Sequence, residues 1–170
     1  KGSSVSGGSQ GKATGERSSV TGGLQNQAAG QFSTVSGGTG NKAFGYSSIV
    51  IGGTGNVVGK MAVDDKGNPI LVDANGNVAK DGNPYPDPNS PFAGTVAVAI
   101  GGYSSSVQGA YSVGIAGGST SAAASSGLAA GRQATTTVAN GVAIGYESTA
   151  SVIDSSRTAD TEGRIVSFGH

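Results

Sequence analysis

The sequence predicts an all-β protein, a parallel β-roll built as a solenoid of 14–15-residue coils with one inserted hairpin-like segment. Three observations carry this. Residues 3–47 are three consecutive copies of one 15-residue unit, SSVSGGSQGKATGER, SSVTGGLQNQAAGQF and STVSGGTGNKAFGYS, and a fourth, SIVIGGTGNVVG, opens at Ser48. Each copy holds a Val (Val5, Val20, Val35, Val50), a Gly pair (7/8, 22/23, 37/38, 52/53) and a second small apolar residue (Ala13, Ala28, Ala43, Val58) at fixed phase. The apolar stretches are short and separated by Gly-containing turns, which fits two strands per unit and is too broken for a helix. A short fixed period describes one supersecondary unit stacked on itself, with function spread over an extended surface.

The elements follow in order. Residues 1–59 are the first run of coils. From Lys60 to Thr95 the pattern vanishes, and this segment holds all five prolines and five of the seven aspartates. Within it ILVDANGNVA predicts two strand halves around an Asn-Gly turn, so residues 60–95 read as an insert that loops out of one coil. Coils resume over 96–154 as AVAIGGYSSSVQGAY, SVGIAGGSTSAAASS, GLAAGRQATTTVAN and GVAIGYESTASVID, the period relaxing from 15 to 14, and 155–170 leads out of the roll.

Strand alternation assigns the faces. If the Val column points inward, continuing as Ala99, Gly114, Ala129 and Ala143, both neighbours of each point outward. Those neighbours are Ser4/Ser6, Ser19/Thr21 and Thr34/Ser36 early on. Later they become Ile49/Ile51, Val98/Ile100, Val113/Ile115 and Val142/Ile144. Contiguous exposed apolar strands demand a partner, so these eight residues are the candidate subunit interface. The opposite phase would put the Ile/Val pairs inside and leave the early coils with a serine core. Burying one Val and one Ala per coil falls well short of the entropy lost on ordering fifteen residues, so an obligate oligomer is expected.

Composition excludes several classes. Apolar content is 35% and charged content 12%, both low for a globular domain. Gly fills 32 positions without the every-third spacing of collagen, and its phase is tied to recurring Val and Ala, which also argues against a disordered linker. Ten basic residues cancel ten acidic ones, so there is no basic stripe for nucleic acid and no amphipathic basic helix for a membrane surface. Without cysteine there are neither disulfides nor thiolate metal sites. No secretion signal, membrane span or starting Met is seen, and the expectation is a piece of a longer chain.

GVAIGYES at Gly141–Ser148, VAIGGYSS at Val98–Ser105 and the recurring S-V-x-G-G-x-x-N-x-A-x-G resemble the YadA-like head of trimeric autotransporter adhesins, over about 110 to 130 residues. The resemblance implies a left-handed parallel β-roll, a homotrimer, and display on a bacterial cell surface with the outer-membrane anchor outside this chain. It also implies non-enzymatic binding of an extracellular matrix protein, a host cell-surface ligand or a bacterial-surface ligand, with no cofactor, no metal and no direct membrane contact by this segment. Residues 60–95 resemble the inserts of such heads, and RIVSFGH at Arg164–His170 resembles the passage from head to neck. A collagen-binding pattern of some heads, N-S-V-A-I-G-x-x-S, is matched by Asn140, Val142, Ala143, Ile144, Gly145 and Ser148, with Gly141 in place of Ser. The same columns are explained by strand packing and a turn. In the insert, Tyr85 and Phe92 are candidate contact groups projecting beyond the flat coils.

Other chemistries fail on their motifs. Gly59-Lys60 lacks the upstream Gly of a phosphate loop and is followed by Met61, and the fingerprint-like Gly38-Thr39-Gly40-Asn41-Lys42-Ala43 leaves no room for a helix. A calcium β-roll needs an Asp in every turn, and Ser3–Gly59 has none. Asp73–Asn77 begins like an EF-hand loop but has Val78 where Gly is required, so an Asn-Gly turn is the better reading. The only His is His170, and Glu16, Glu147 and Glu162 have no carboxylate partner at a matching coil position, which weighs against a polysaccharide-degrading β-solenoid. An ice-binding solenoid needs ranks of Thr, and Thr135–Thr137 stands isolated.

Overall fold

The computed structural model describes residues 2–151, apart from 74, 76, 81, 91 and 92, together with the backbone of Ile165–Phe168. Among them there is no helix, and the chain winds as a β-solenoid of about nine turns. Each complete coil gives one strand to each of two parallel sheets. Sheet one stacks Ser4–Ser6, Ser19–Thr21, Thr34–Ser36, Ile49–Ile51, Val98–Ile100, Val113–Ile115, Leu128–Ala130, Gly141–Ile144 and Ile165–Phe168. Sheet two stacks Lys12–Ala13, Gln27–Ala28, Lys42–Ala43, Val57–Val58, Ser106–Val107, Ser119–Thr120, Thr135–Thr136 and Thr149–Ala150. A third, narrow side consists of single-residue bridges running Ser9, Leu24, Thr39, Thr54, Tyr103.

Register follows the repeat: Val5 lies beside Val20, Val20 beside Val35, and Val35 beside Val50. The Val column is the core. Val20, Val35, Val50, Ala99, Ala129 and Ala143 are fully buried, facing Ala28, Ala43, Val58, Val107 and Ala150 from sheet two. This settles the face assignment in favour of Val inside and the Ile/Val pairs outside.

A second buried column runs beside the apolar one. The Asn41 side-chain amide donates to the carbonyls of Gly37 (3.2 Å), Gly52 (3.1 Å) and Gly53 (3.2 Å), and Asn41 Oδ1 accepts the backbone amide of Asn56 (3.0 Å). Asn26 makes the same set toward Gly22, Gly37, Gly38 and the Asn41 amide. Asn56 ends the ladder by accepting from the Ser105 amide (3.0 Å). Such stacking pairs every polar atom of a buried amide with the coil above or below, as in the Asn ladders of cross-β stacks. It also explains the Gly pair. Gly22 sits at φ 70° and Gly23 at φ 80°, and a Cβ on Gly23 would fall on both the Gly38 carbonyl oxygen and the Asn26 amide. A smaller ladder caps the opposite corner, where the buried hydroxyls of Ser18, Ser33, Ser48 and Ser112 donate to Gly15, Gly30, Gly45 and Gly109.

The sixth coil changes the cross-section. Between sheets one and two the fifth coil uses residues 101–105, whereas the sixth uses only 116–118 and makes up the length at the other corner with 121–127. Gly118 donates back to Ile115 (3.1 Å), and this tight turn leaves no room for a side chain at Gly114, the inward position. The core divides here, one cluster ending at Val107 and another beginning at Ala129, with the Ser112 and Thr120 hydroxyls (2.8 Å) paired between them.

Ile49 pairs directly with Val98 and Val57 with Ser106, so the coil stack continues across the segment between Val58 and Val98. The chain leaves at Gly59 and returns at Gly94, so close together that a Cβ on Gly94 would collide with the Gly59 backbone. The Asp73–Asn77 turn forms, with Asp73 N donating to Asn77 O (2.8 Å) and Ala79 N to Leu71 O (3.0 Å). The strand ladder differs from the simple hairpin expectation, because Leu71–Val72 pairs antiparallel with Asn83–Pro84. The paired prolines lie only in this two-stranded ladder and in isolated bridges: Pro84 opposite Leu71, Pro69 with Val63, and Pro86 with Met61.

Asn41→Ala removes four side-chain hydrogen bonds and leaves the Asn56 backbone amide without its acceptor, so a loss of about 4 kcal/mol is expected at roughly 1 kcal/mol per bond. Thermal melting of Asn41→Ala against Gln10→Ala, an exposed position, checks this; equal melting points would show that the ladder does not hold the coils.

Candidate functional surface

Sheet one presents two outward rows. The first is Ser4, Ser19, Thr34, Ile49, Val98, Val113, Leu128, Val142; the second is Ser6, Thr21, Ser36, Ile51, Ile100, Ile115, Ala130, Ile144. Strand stacking thus brings all eight predicted interface residues onto one flat face. Ile49, Ile51, Ile100 and Ile144 are 37, 45, 39 and 39% exposed in the single chain, and Val98, Val113, Ile115 and Val142 are half-buried. Sequence reasoning missed Leu128 and Ala130, which complete the rows; their position flanking Ala129 is the signal that finds them. The face divides cleanly, hydroxyls over the first three coils and branched apolar side chains over the next five.

Aromatic side chains border the same coils at the corner leading into sheet one. Arg17 lies over the Phe32 ring (5.5 Å), and Phe32 meets Tyr46 edge-on at 5.4 Å. Val96 and Tyr111 continue this line, both exposed and both at positive φ, like Arg17 and Phe32.

The Asn140–Ser148 pattern does not gather into one patch. Ala143 is core, and the buried Ser148 hydroxyl donates inward to the Gly145 carbonyl (3.2 Å). Asn140 occupies the left-handed turn position (φ 57°) that Ser126 and Tyr111 fill in the preceding coils, and Gly145 is a turn residue at φ 107°. Only Asn140, Val142 and Ile144 offer side chains to a partner, and the latter two belong to the apolar face.

In the insert, Tyr85 is half-buried and its carbonyl accepts the Ala62 amide (2.9 Å), so it is partly packed and does not project freely. Phe92 lies outside the described residues. The insert folds back on its own roll. Gln27 Nε2 donates to the Pro84 carbonyl (2.9 Å), and the outward positions Gln27, Ala29 and Phe44 of sheet two are buried, Phe44 to 2% exposure.

Two Asp-centred turns shape the insert. Asp64 Oδ1 accepts the amides of Lys66 and Asn68, and Asp73 Oδ1 accepts those of Asn75 and Asn77. Its closing point is Asp87, whose amide donates to Lys60 O (2.9 Å), whose Oδ1 accepts the Asn89 amide (2.9 Å) and whose Oδ2 lies 3.3 Å from Lys60 Nζ. The Asn89 amide, helped by Ser90 and Lys60, holds the Asp87 carboxyl below its ordinary value against the opposing effect of burial. The Asn68 backbone and side-chain amides lower Asp64 in the same way.

No model of a known protein family matches the sequence, and no curated protein matches it.

Because both carboxyls are lowered in the folded state, their contribution is fully present above the unfolded carboxyl value of about 3.9 and is lost as pH falls through the folded values. Hydrogen exchange read by region is expected to show the 60–90 segment opening below about pH 4 while the coils, free of such carboxyls, stay protected. Simultaneous opening of both would refute separate stabilisation of the insert.

Proposed function

We propose that this chain is the head of a bacterial cell-surface adhesin, a homotrimer that binds an extracellular matrix protein, a host-cell ligand or a bacterial-surface ligand without catalysis. The observation that carries the reading is the in-register stack of outward Ile and Val pairs on an otherwise hydroxyl-rich solenoid. A flat apolar face of five coils is a poor surface for water and a good one for copies of itself. The resemblance of the VAIG-containing coils to YadA-like heads supports the same assembly and cell-surface setting. A solenoid of Ser, Thr, Asn and Gln side chains makes many weak contacts, and trimers displayed in numbers raise effective concentration enough for such contacts to hold a multivalent partner.

Light scattering on the chain, alone and fused to a trimeric coiled coil, is expected to give a trimer. A folded monomer from the unfused chain, with the fused heads remaining independent in melting, overturns the assignment. Ile144→Asp is expected to dissociate the trimer because it buries an unpaired carboxylate, whereas Ser6→Asp leaves it intact. Since Ile144 is 39% exposed in one chain, equal effects of the two variants would place the interface elsewhere. Binding of the trimer to immobilised matrix proteins and to intact bacterial cells tests the adhesive role, and failure in both sets sinks it.

A further inference from the structure

The shortened corner of the sixth coil leaves a step in the solenoid. The narrow third side ends at Tyr103, and beyond it the roll drops back to Ala116–Gly117. The result is an open groove of about 780 Å³, walled by Tyr103 and floored by Ser119, Gln133 and Thr135, with Arg132 at its edge. None of the outward Ile/Val pairs lines it. The groove lies around the corner from the apolar face, toward sheet two.

Its chemistry is specific. Tyr103 is 75% exposed, the joint highest value among the exposed large hydrophobic side chains. The Arg132 guanidinium lies over the Tyr146 ring, 4.8 Å from its centroid, a cation–π contact that leaves its charge unneutralised. Among the described residues no carboxylate pairs with it: Glu147, its neighbour in the next coil, donates its backbone amide to the Arg132 carbonyl and forms no ion pair with the side chain. The remaining lining groups are a neutral amide, Gln133, and two hydroxyls: Ser119 Oγ accepts the Ser106 amide (3.1 Å) and keeps its proton to donate, while Thr135 Oγ1 donates to the Gln133 carbonyl (3.4 Å) and keeps lone pairs to accept.

We propose that this groove binds a carboxylate-bearing sugar residue. The stacked guanidinium presents a planar pair of donors to the carboxylate, the exposed Tyr103 face covers the C–H face of a pyranose ring, and Ser119, Gln133 and Thr135 meet its hydroxyls. A peptide is the weaker fit, because the groove has no free strand edge for its backbone to pair with. The proposal gives the adhesive reading a ligand class and rests on that reading for its biological sense, while the binding itself requires only the folded roll.

The carboxylate has two sources, a terminal sialic acid or a uronate within a chain, and the test separates them. Saturation-transfer NMR with the purified protein uses 3′-sialyllactose against lactose, and a glucuronate-containing hyaluronan tetrasaccharide against its carboxyl-reduced form. An exposed groove of this size gives weak binding, so the expected result is millimolar or somewhat tighter affinity for at least one acidic sugar, and at least tenfold weaker binding of its neutral counterpart. Arg132→Gln and Tyr103→Ala, both at exposed positions, are each expected to lose about tenfold with unchanged melting. Tyr111→Ala, on the other corner, is the control and loses nothing. The proposal is overturned if neither acidic sugar exceeds its neutral partner, if Arg132→Gln binds as the parent does, or if a short acidic peptide binds better than both sugars. Because light scattering and cell binding are read separately, a failure here leaves the adhesive and trimeric reading standing.

Discussion

The buried asparagine ladder is the constraint on which the shape of this molecule depends. An amide side chain held between coils must place its donor on glycine carbonyls of its own and the next coil and its acceptor on the next coil's backbone, and these demands fix the path of the corner to within a hydrogen bond's tolerance. Only glycine fits at Gly23 and Gly38, because the Asn amide and the next carbonyl occupy the space where a Cβ would be. The wide corner, the third side that follows it and the Gly-Gly-x-x-Asn spacing are therefore one device. Where Ser105 stands in the Asn column the device ends: its amide still donates to Asn56 Oδ1, but its buried hydroxyl has no partner and sends nothing onward. The next corner, in the sixth coil, is the short one, the third-side bridges are not continued past Tyr103, and the groove lies at this step.

The same alternation that builds the core decides what the surface offers. Each strand of sheet one sends its middle residue inward, so the two flanking residues can vary without disturbing the stack. The chain uses that freedom twice, with hydroxyls on the first three coils and Ile, Val and Leu on the later ones. Val-to-Ala thinning of the core along this direction, from Val20, Val35 and Val50 to Ala99, Ala129 and Ala143, runs opposite to the gain of outward apolar area. The later coils therefore carry smaller inward side chains and larger apolar outward ones than the first three.

Much of this was legible in the sequence, for a definite reason. A period of 15 multiplied by a strand period of 2 puts every residue in a fixed column on a fixed face, so Val5 through Val50 and the pairs from Ile49/Ile51 to Val142/Ile144 could be placed by spacing alone. Leu128 and Ala130 were overlooked only because the seventh coil's pair is less obviously apolar. The Asn column was harder. Asn26, Asn41 and Asn56 recur as regularly as the valines, yet a polar residue in a turn reads as exposed unless its partners are known, and those partners are backbone carbonyls invisible to composition. The fold-back of the insert was also hidden, since the contact of Gln27 with Pro84 joins segments 57 residues apart through one carbonyl that any residue could supply. The Asn140–Ser148 pattern shows the converse, a motif legible in sequence whose residues the coil sends to different places.

Separation of surfaces follows from the two-sheet cross-section. The apolar rows occupy the outside of sheet one, the insert covers the early coils of sheet two, and the groove lies at the corner beyond Tyr103, so the three sit on different sides or at different heights of one rigid stack. Inside such a stack, neighbouring coils are coupled through the ladders, whereas groups on different faces communicate only through a core of Val, Ala and fixed hydrogen bonds with one packing arrangement. Substitutions on one face are therefore additive with those on another, as independent sites are. That independence lets the outward rows, the insert and the groove change residue by residue on an unchanged scaffold, and it is why a repeat of so few residue types can present several distinct surfaces.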